Sequence, residues 1–387
     1  MSSEYHVYDL TDADDLEKLG QLVGVNISMD RQIVPYATKN VVIAYGTFLT
    51  GVGCALHVTI LVALYRLINN GGTGLNRHLL ALFTICQLFA LILVVPFEIT
   101  REYIGQWRLG AEFCKVWITY GHIFIPTMLW TLFGLCLDRY HHLQAMGVYR
   151  YAKRGSGKVS VIIVAILLLS AAGLIPQQVW LHRKSDFLLV EVCAVVVDTP
   201  HTTVLSLMHY FIPSTVLVAS LFALCCYARR RIAQLQRIER QESLLALSTA
   251  ARSLNGACSY DIDTYVVDTK NSCVCLTLLA CVTICMWSPF YVANLWLAYS
   301  KCENSLCFDP KLWALFQWIG YTSALVCPCF VFVDKRVRAT VRYWLKLDVE
   351  DGVFSYKHAS ELQQTEAANR VTSPKPEDTY AAVTSQL

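Results

Sequence analysis

The sequence contains few charged residues for its length. Of its 387 residues, 16% are charged and 55% are hydrophobic, and the formal net charge is +3. Soluble domains carry about 25% charged residues, so this chain has too few charges to cover an ordinary water-facing surface. A net charge this small also gives no reason to expect a nucleic-acid partner. The composition favours a protein whose solvent is a lipid bilayer.

Patterns typical of catalysis and of resident cofactors are missing too. The 10 histidines are scattered along the chain, without the spacing to cysteines that a structural metal site needs. The sequence contains no glycine-rich phosphate loop and no nucleophile elbow. We therefore expect no enzyme activity, no cofactor and no metal. A transporter is also disfavoured, because no internal repeat is evident.

Long apolar stretches dominate what is present. The hydrocarbon core of a bilayer, about 30 Å thick, takes roughly 20 apolar residues per helix. Seven stretches reach that length, at 40–66, 77–102, 112–144, 158–181, 203–236, 268–299 and 310–333. The sequence therefore predicts an all-α membrane protein, a seven-transmembrane helix bundle. The residues before the first stretch lack the apolar core of a cleaved signal peptide, so we expect that stretch to direct membrane insertion.

Four regions follow from this pattern. They are an N-terminal tail (1–39), the transmembrane domain (40–333), a short amphipathic eighth helix on the membrane surface (334–346) and a disordered tail (347–387). In the eighth helix, Val337, Val341, Trp344 and Leu345 share one face and basic residues occupy the other. A polar loop is expected between the fifth and sixth stretches, at about 237–267.

Basic residues collect in alternate loops, which sets the orientation of the bundle. Loops rich in lysine and arginine stay in the cytoplasm, so the N-terminus is expected outside the cell, with the bundle in the plasma membrane. Asn26, in the triplet Asn26-Ile27-Ser28, then becomes a glycosylation acceptor. Ser385-Gln386-Leu387 has the hydroxyl–any–apolar form that PDZ domains bind, which suggests a PDZ protein as a partner.

Four of the 16 cysteines lie outside the apolar interior of the stretches. Cys114 is at the outer end of the third stretch and Cys193 in the loop between the fourth and fifth, while Cys302 and Cys307 flank a short loop. All four face an oxidising compartment in the predicted orientation, so we expect the disulfides Cys114–Cys193 and Cys302–Cys307. Two free thiols are the alternative for the second pair.

Several motifs occur together in a fixed order. Asp138-Arg139-Tyr140 closes the third stretch, and Trp107 precedes Cys114. Trp287-Ser288-Pro289 lies in the sixth stretch. Prolines mark five of the stretches, namely Pro96, Pro176, Pro213, Pro289 and Pro328. From about Val41 to Leu345 the chain resembles the rhodopsin-like (class A) family of G-protein-coupled receptors in both the identity and the spacing of these residues.

The resemblance implies a receptor that transmits an extracellular signal to heterotrimeric G proteins, with arrestin as a further possible partner. The implied coupling and switch residues are Asp138, Arg139, Tyr140, Trp287, Pro289 and Pro328. Asp268 is a candidate second anchor for Arg139. Leu221 and Val331 stand where the family has tyrosines that move on activation. An alternative therefore stays open: a constitutively active or non-coupling receptor-like scaffold or dimer partner.

The family alignment also implies a ligand pocket for a small molecule or a lipid. Its candidate residues are Glu98, Gly121, His122, Ile125, His209, Phe290, Tyr291, Asn294, Gln317, Trp318 and Tyr321. Trp318-Ile319-Gly320-Tyr321 resembles the seventh-helix signature of amine receptors, yet Gly121 stands where those receptors hold their amine-binding aspartate. Glu98 is either a substitute counter-charge or a partner of Arg101. An opsin is disfavoured, because Tyr321 replaces the required lysine.

Polar residues of the family's sodium cavity are replaced as well. Gln87 stands for the aspartate of the second helix and Met128 for the serine of the third. Hard cations need carboxylate and other oxygen ligands, so we expect the sodium site to be lost. His57 and Gln87 are expected to share a hydrogen bond, directly or through a water molecule.

Overall fold

A computed structural model describes residues 36–69, 75–104, 107–145, 156–174, 188–189, 193–195, 199–248, 256–300 and 310–345. Several predictions lie outside these residues: the glycosylation acceptor Asn26, the disulfide Cys302–Cys307 and the terminal Ser385–Leu387. Within the described ranges the uninterrupted helices are α1 (Tyr36–Asn69), α3 (Ala111–Ala145), α4 (Ser156–Ala172), α6 (Gly256–Tyr299), α7 (Pro310–Val331) and α8 (Lys335–Trp344).

Two further helices each contain one π-helical turn. Helix α2 runs as Leu75–Phe89, the turn Ala90–Val94 and then Val95–Ile104, and α5 runs as Thr199–Ser206, the turn Leu207–Phe211 and then Ile212–Ser248. Each turn lies just before a proline, Pro96 in α2 and Pro213 in α5. Proline lacks an N–H and its ring collides with the carbonyl four residues earlier, so a wider turn relieves the clash.

Six of the helices are long and apolar enough to cross a bilayer. The stretches are Lys39–Asn69, Leu75–Ile104, Ala111–Gln144, Thr199–Arg237, Thr269–Tyr299 and Leu312–Val331. They coincide with six of the seven predicted stretches. For the fourth, the apolar helix is described over Val159–Ala172, and the end of the predicted stretch lies outside the described residues.

The polar loop expected at 237–267 is wrong in its extent. Helix α5 continues to Ser248 and α6 begins at Gly256, so most of this segment is helical. Hydropathy marks only the part of a helix that can lie in lipid. The segment after Arg237 is rich in glutamine, glutamate, leucine and alanine, which favour helix in water as well.

Helix α3 is the central element of the bundle, in contact with α2, α4, α5 and α6. Met128, Leu129, Leu132 and Leu135 form a fully buried stripe along it. Apolar side chains on the opposite faces of the peripheral helices are exposed, among them Val161, Phe222 and Trp296. A surface of this kind suits lipid, which is as apolar as the side chains themselves.

Helix α8 has the predicted amphipathic pattern over Lys335–Trp344. Val337 and Val341 are buried, whereas Arg338 and Arg342 are exposed. The described residues also include one short antiparallel pair, β1 (Leu188–Leu189) with β2 (Ala194–Val195), in which Leu188 pairs with Val195. This pair belongs to the segment that carries Cys193.

Candidate functional site

One end of the bundle, here called the disulfide end, is held by a covalent bond and an aromatic group. Cys114 on α3 is bonded to Cys193, with 5.5 Å between their Cα atoms, which confirms the first predicted disulfide. The indole Nε1 of Trp107 donates to the carbonyl oxygen of Gly110 at 2.9 Å. The same ring stacks on Phe113, with centroids 5.8 Å apart. Together these contacts fix the start of α3.

A charged group lies near this end and is called the Glu98 cluster: Glu98, Arg101, Glu102 and Gln317. Arg101 Nη2 donates to Glu98 Oε1 and, at 3.3 Å, to Glu102 Oε1. Glu98 is only 1% exposed, and Gln317 interacts with its carboxylate. The arginine also lies over the ring of Trp117, 5.8 Å from its centroid. The structure therefore favours the second of the two interpretations of Glu98, as the partner of Arg101.

Aromatic contacts join α5, α6 and α7 beside this cluster. Tyr291 on α6 stacks on Tyr210 of α5, with centroids 4.5 Å apart and planes 7° from parallel. Tyr210 Oη donates to the carbonyl oxygen of Ile284 at 2.7 Å. Trp313 Nε1 donates to Asn294 Oδ1 at 3.0 Å. Tyr291 and Asn294, predicted as pocket residues, are thus engaged by neighbouring helices.

Two predicted pocket histidines lie next to each other between α3 and α5. The ring centroids of His122 and His209 are 5.8 Å apart. His122 Nδ1 is hydrogen-bonded to the carbonyl oxygen of Ile118 at 2.7 Å. His209 is fully buried, and its ring fits against Gly173, where a Cβ would lie 2.6 Å from His209 Cδ2.

A small central cavity lies among α2, α3, α6 and α7. Its volume is about 20 Å³, which is room for about one water molecule. None of the side chains around it carries a formal charge at neutral pH. The lining residues are Gln87, Ala90, Leu91, Val94, Val95, Gly121, Phe124, Ile125, Met128, Trp287, Tyr321, Ser323 and Ala324.

Part of this cavity follows from the sequence and part does not. Gly121, Ile125 and Tyr321 were predicted to line the pocket, and Trp287, predicted as a switch residue, lines it as well. The other eight pocket candidates are not among the lining residues: Glu98, His122, His209, Phe290, Tyr291, Asn294, Gln317 and Trp318. The wall from α2 was missed. On this helix only Glu98 was a candidate, whereas three of the lining residues, Ala90, Leu91 and Val94, belong to the π-helical turn Ala90–Val94. The nearby Pro96 was the available signal.

The predicted direct hydrogen bond between His57 and Gln87 is not formed. His57 Nε2 instead lies 2.8 Å from the carbonyl oxygen of Ala324. Ala324 precedes Pro328 by four residues, and proline has no N–H to donate to that carbonyl within α7. His57 therefore supplies the donor that α7 lacks, and Gln87 Nε2 is left without a hydrogen-bond partner.

Trp287 on α6 packs closely against α7. Its indole meets the ring of Tyr321 edge to face, with centroids 5.5 Å apart. A Cβ at Gly320 would lie 2.6 Å from Trp287 Cε3, so only glycine leaves room for the indole in this position. The indole Nε1 of Trp287 has no hydrogen-bond partner.

The opposite end of α3, here called the arginine end, carries Asp138-Arg139-Tyr140. Asp138 is 5% exposed, and the ring of Tyr140 packs on Tyr227 of α5 at 5.0 Å. Arg139 interacts electrostatically with the thiols of Cys273 and Cys275 on α6. The motif thus lies where α3, α5 and α6 meet. The side chain of Asp268, the candidate second anchor, is outside the described residues.

Contacts of sulfur and hydroxyl groups join α6 to α7 between Trp287 and this end. Cys275 Sγ donates to the carbonyl oxygen of Phe330 at 3.2 Å. Thr283 Oγ1 lies 3.8 Å from Cys327 Sγ. Leu221 and Val331, which replace the family's tyrosines, are buried. Small polar contacts therefore occupy the region where larger switch residues were expected from the resemblance.

The described residues combine membrane-length helices, a disulfide at one end of the bundle, a central cavity and Asp-Arg-Tyr at the other end. This combination defines the class of seven-helix membrane receptors. The sequence profile of the family described as "7 transmembrane receptor (rhodopsin family)" matches residues 37–330. The chain belongs to this family and is a multi-pass membrane protein.

Proteins similar to this chain include several dopamine receptors. Dopamine receptor 1 of Drosophila melanogaster is 23% identical, over 64% of this chain and 51% of its own length. The D(1B) dopamine receptor of Mus musculus is 25% identical, over 65% of this chain and 60% of its own length. The D(1) dopamine receptor of Carassius auratus is 24% identical, over 63% of this chain and 71% of its own length. The chain thus spans about half of the fly receptor and three fifths of the mouse receptor.

Proposed function

We propose that this protein is a plasma-membrane receptor that couples an extracellular small ligand to heterotrimeric G proteins. The observation that carries the proposal is the position of Arg139. It lies at the end of α3 between the buried Asp138 and Tyr140, whose ring packs on Tyr227 of α5. The disulfide end then faces the outside and the arginine end the cytoplasm, in agreement with the distribution of basic residues.

In this mechanism, α6 moves away from α3 and uncovers Arg139 for the G protein. Pro289 lies inside α6 and removes one backbone hydrogen bond, which makes that turn a natural hinge. Trp287, two residues earlier, touches the central cavity and connects ligand binding with the hinge. The ligand acts by binding the open arrangement more tightly than the closed one.

One observation favours the alternative of a scaffold or dimer partner that does not couple. The contacts Cys275–Phe330 and Thr283–Cys327 hold α6 to α7 without the family's tyrosines. If these contacts resist opening, the bundle stays closed. Arrestin and a PDZ protein at Ser385–Leu387 remain further partners of the proposal under either alternative.

The test is to express the full chain and its Arg139→Ala variant at equal surface levels and to measure basal activation of each G-protein class. We expect activation by the wild type and its loss in Arg139→Ala, because no other described group replaces this guanidinium at the α3–α6 contact. Arg108→Ala is the matched control, since Arg108 is an exposed arginine near the disulfide end.

The control variant should activate as the wild type does. Activation that persists in Arg139→Ala would contradict the proposed role of Arg139. Failure of both the wild type and the control to activate any class, at equal surface levels, would leave two interpretations: a receptor that is silent until its ligand binds, or the non-coupling scaffold.

A further inference from the structure

The central cavity contains two buried donors that nothing in the bundle satisfies. Gln87 is 1% exposed and Trp287 is 6% exposed, and both line the cavity. Gln87 Nε2 and Trp287 Nε1 have no hydrogen-bond partner. A buried N–H without an acceptor is costly, so an occupant that accepts a hydrogen bond would be favoured here. Both unsatisfied atoms are hydrogen-bond donors, so the group that pairs with them has to be a hydrogen-bond acceptor.

The remainder of the cavity wall is apolar or neutral. Leu91, Val94, Phe124, Ile125 and Met128 supply most of the hydrocarbon surface. Binding sites for small molecules generally combine such surface with a few polar atoms that fix orientation. The wall therefore matches a ligand with an apolar body and a small polar group.

Space for such a body continues next to Gly121 on α3. A Cβ placed on Gly121 would meet nothing within 4 Å, so the missing side chain leaves open room beside the cavity. A ligand that fills this room contacts α3 at the same level as Tyr321 on α7. A ligand larger than one water molecule has to widen the cavity, and the open space beside Gly121 is the side on which no side chain stands within 4 Å of the added Cβ.

We propose that the central cavity binds an uncharged ligand whose hydrogen-bond acceptor, such as a carbonyl oxygen, faces Gln87 and Trp287, with its apolar body beside Gly121. This inference rests on the proposed receptor function, because it names the class of ligand that the receptor would recognise.

A protonated amine does not fit this site. An ammonium group has donors only and would meet two further donors. It would also lose its hydration without gaining a counter-charge, which makes burial of a charge unfavourable. Glu98 on α2 is the carboxylate of this region, and Arg101 already occupies it.

The experiment uses three probes with one carbon skeleton: acetophenone, ethylbenzene and 1-phenylethylammonium. They present, respectively, an acceptor, no polar group and a cation. Thermal unfolding of the purified full chain in lipid nanodiscs is followed as each probe is titrated, since a ligand that binds only the folded protein raises the unfolding temperature. We expect saturable stabilisation with acetophenone strongest, ethylbenzene weaker and the ammonium absent.

The variant Gln87→Leu removes one hydrogen-bond donor and puts an apolar side chain of similar size in its place. Its affinity for acetophenone should fall about five- to tenfold, the effect of one net hydrogen bond, while ethylbenzene is unaffected. Thr84→Val is the control, because Thr84 is a buried polar residue of α2 that does not line the cavity. That variant should bind all three probes as the wild type does.

A second variant, Gly121→Asp, tests the same assignment by reversal. The open space at Gly121 admits the carboxylate, so the preference should move from acetophenone to 1-phenylethylammonium. This variant keeps the proposal testable if Gln87→Leu does not fold.

Three results would overturn the inference. They are ammonium binding by the wild type equal to that of acetophenone, an acetophenone preference unchanged in Gln87→Leu, and no saturable binding of any probe, which would mean that the cavity holds water only. The measurement needs no G protein. Probe binding without any G-protein activation would therefore leave this inference standing and count against the proposed coupling.

Discussion

The Glu98 cluster and the central cavity are built on the same helices but solve the problem of buried polarity in opposite ways. In the cluster, Glu98 and Arg101 are three residues apart on α2, so the chain supplies its own counter-charge, although Glu98 Oε2 and Arg101 Nε have no hydrogen-bond partner. In the cavity, Gln87 and Trp287 keep donors that the chain does not satisfy. A charge must be paired to stay buried, whereas neutral donors can be left for an outside acceptor at smaller cost. The first group is therefore structural and the second is open to a ligand.

The same difference bears on the resemblance to amine receptors. The resemblance to amine receptors predicts an acid in the third helix, and Gly121 stands there instead. Glu98 is the carboxylate that could take the place of this acid, but it lies on another helix and is bound to Arg101.

Breaking the ion pair between Glu98 and Arg101 should have the largest effect on stability. In Arg101→Met, the carboxylate of Glu98 stays buried without a cation, and loss of one partner of a buried pair costs about 3–5 kcal/mol. We expect a corresponding fall in the unfolding temperature of the purified receptor. Removal of both charges in Glu98→Gln/Arg101→Met should recover most of the loss. Equal stability of the single and double variants would show that the pair is not the reason Glu98 can be buried.

Adding a methyl group between α6 and α7 should have an intermediate effect on stability. Gly320→Ala adds a methyl group 2.6 Å from Trp287 Cε3, so the indole must move, and overpacking of this kind costs about 1–3 kcal/mol. Denaturant or thermal unfolding measures the loss, and the fluorescence of the protein should report the displaced tryptophan.

Gly121→Ala is the matched control for this change. Its methyl group meets nothing within 4 Å, and alanine is favoured over glycine within a helix by about 0.5–1 kcal/mol. The two alanine variants should therefore change stability in opposite directions. A destabilised Gly121→Ala would contradict the open space assigned beside the cavity.

The architecture was largely predictable because its signals are long and repeated. Apolar stretches and basic loops located the spanning helices, and the partners Cys114 and Cys193 followed from their positions in those helices. Glu98 was left between two interpretations, since a sequence does not show which neighbour a carboxylate meets. Its partner three residues along the same helix was a visible candidate.

The misses have local backbone causes. On α2 only Glu98 was a pocket candidate, whereas the π-helical turn Ala90–Val94 supplies three of the residues of the cavity wall, Ala90, Leu91 and Val94. His57 was paired with Gln87 from the family alignment, but Pro328 frees the carbonyl of Ala324, and that acceptor binds His57 Nε2 in place of the direct bond. Proline was the signal in both cases. The helical extensions of α5 and α6 were missed because hydropathy reports lipid contact and not helix length.

The smallest expected effect is the response to sodium. The residues around the cavity include no carboxylate, and a hard cation needs charged or several neutral oxygen ligands. Replacement of sodium chloride by choline chloride at equal ionic strength should therefore leave the unfolding temperature of the wild type unchanged. Gln87→Asp places a carboxylate in the cavity wall near Ser323 and should make stability rise with sodium concentration, as expected for an ion that binds the folded state. A wild type stabilised by sodium but not by choline would mean that the cavity accepts a cation, and it would remove the distinction between a neutral cavity and a charged cluster.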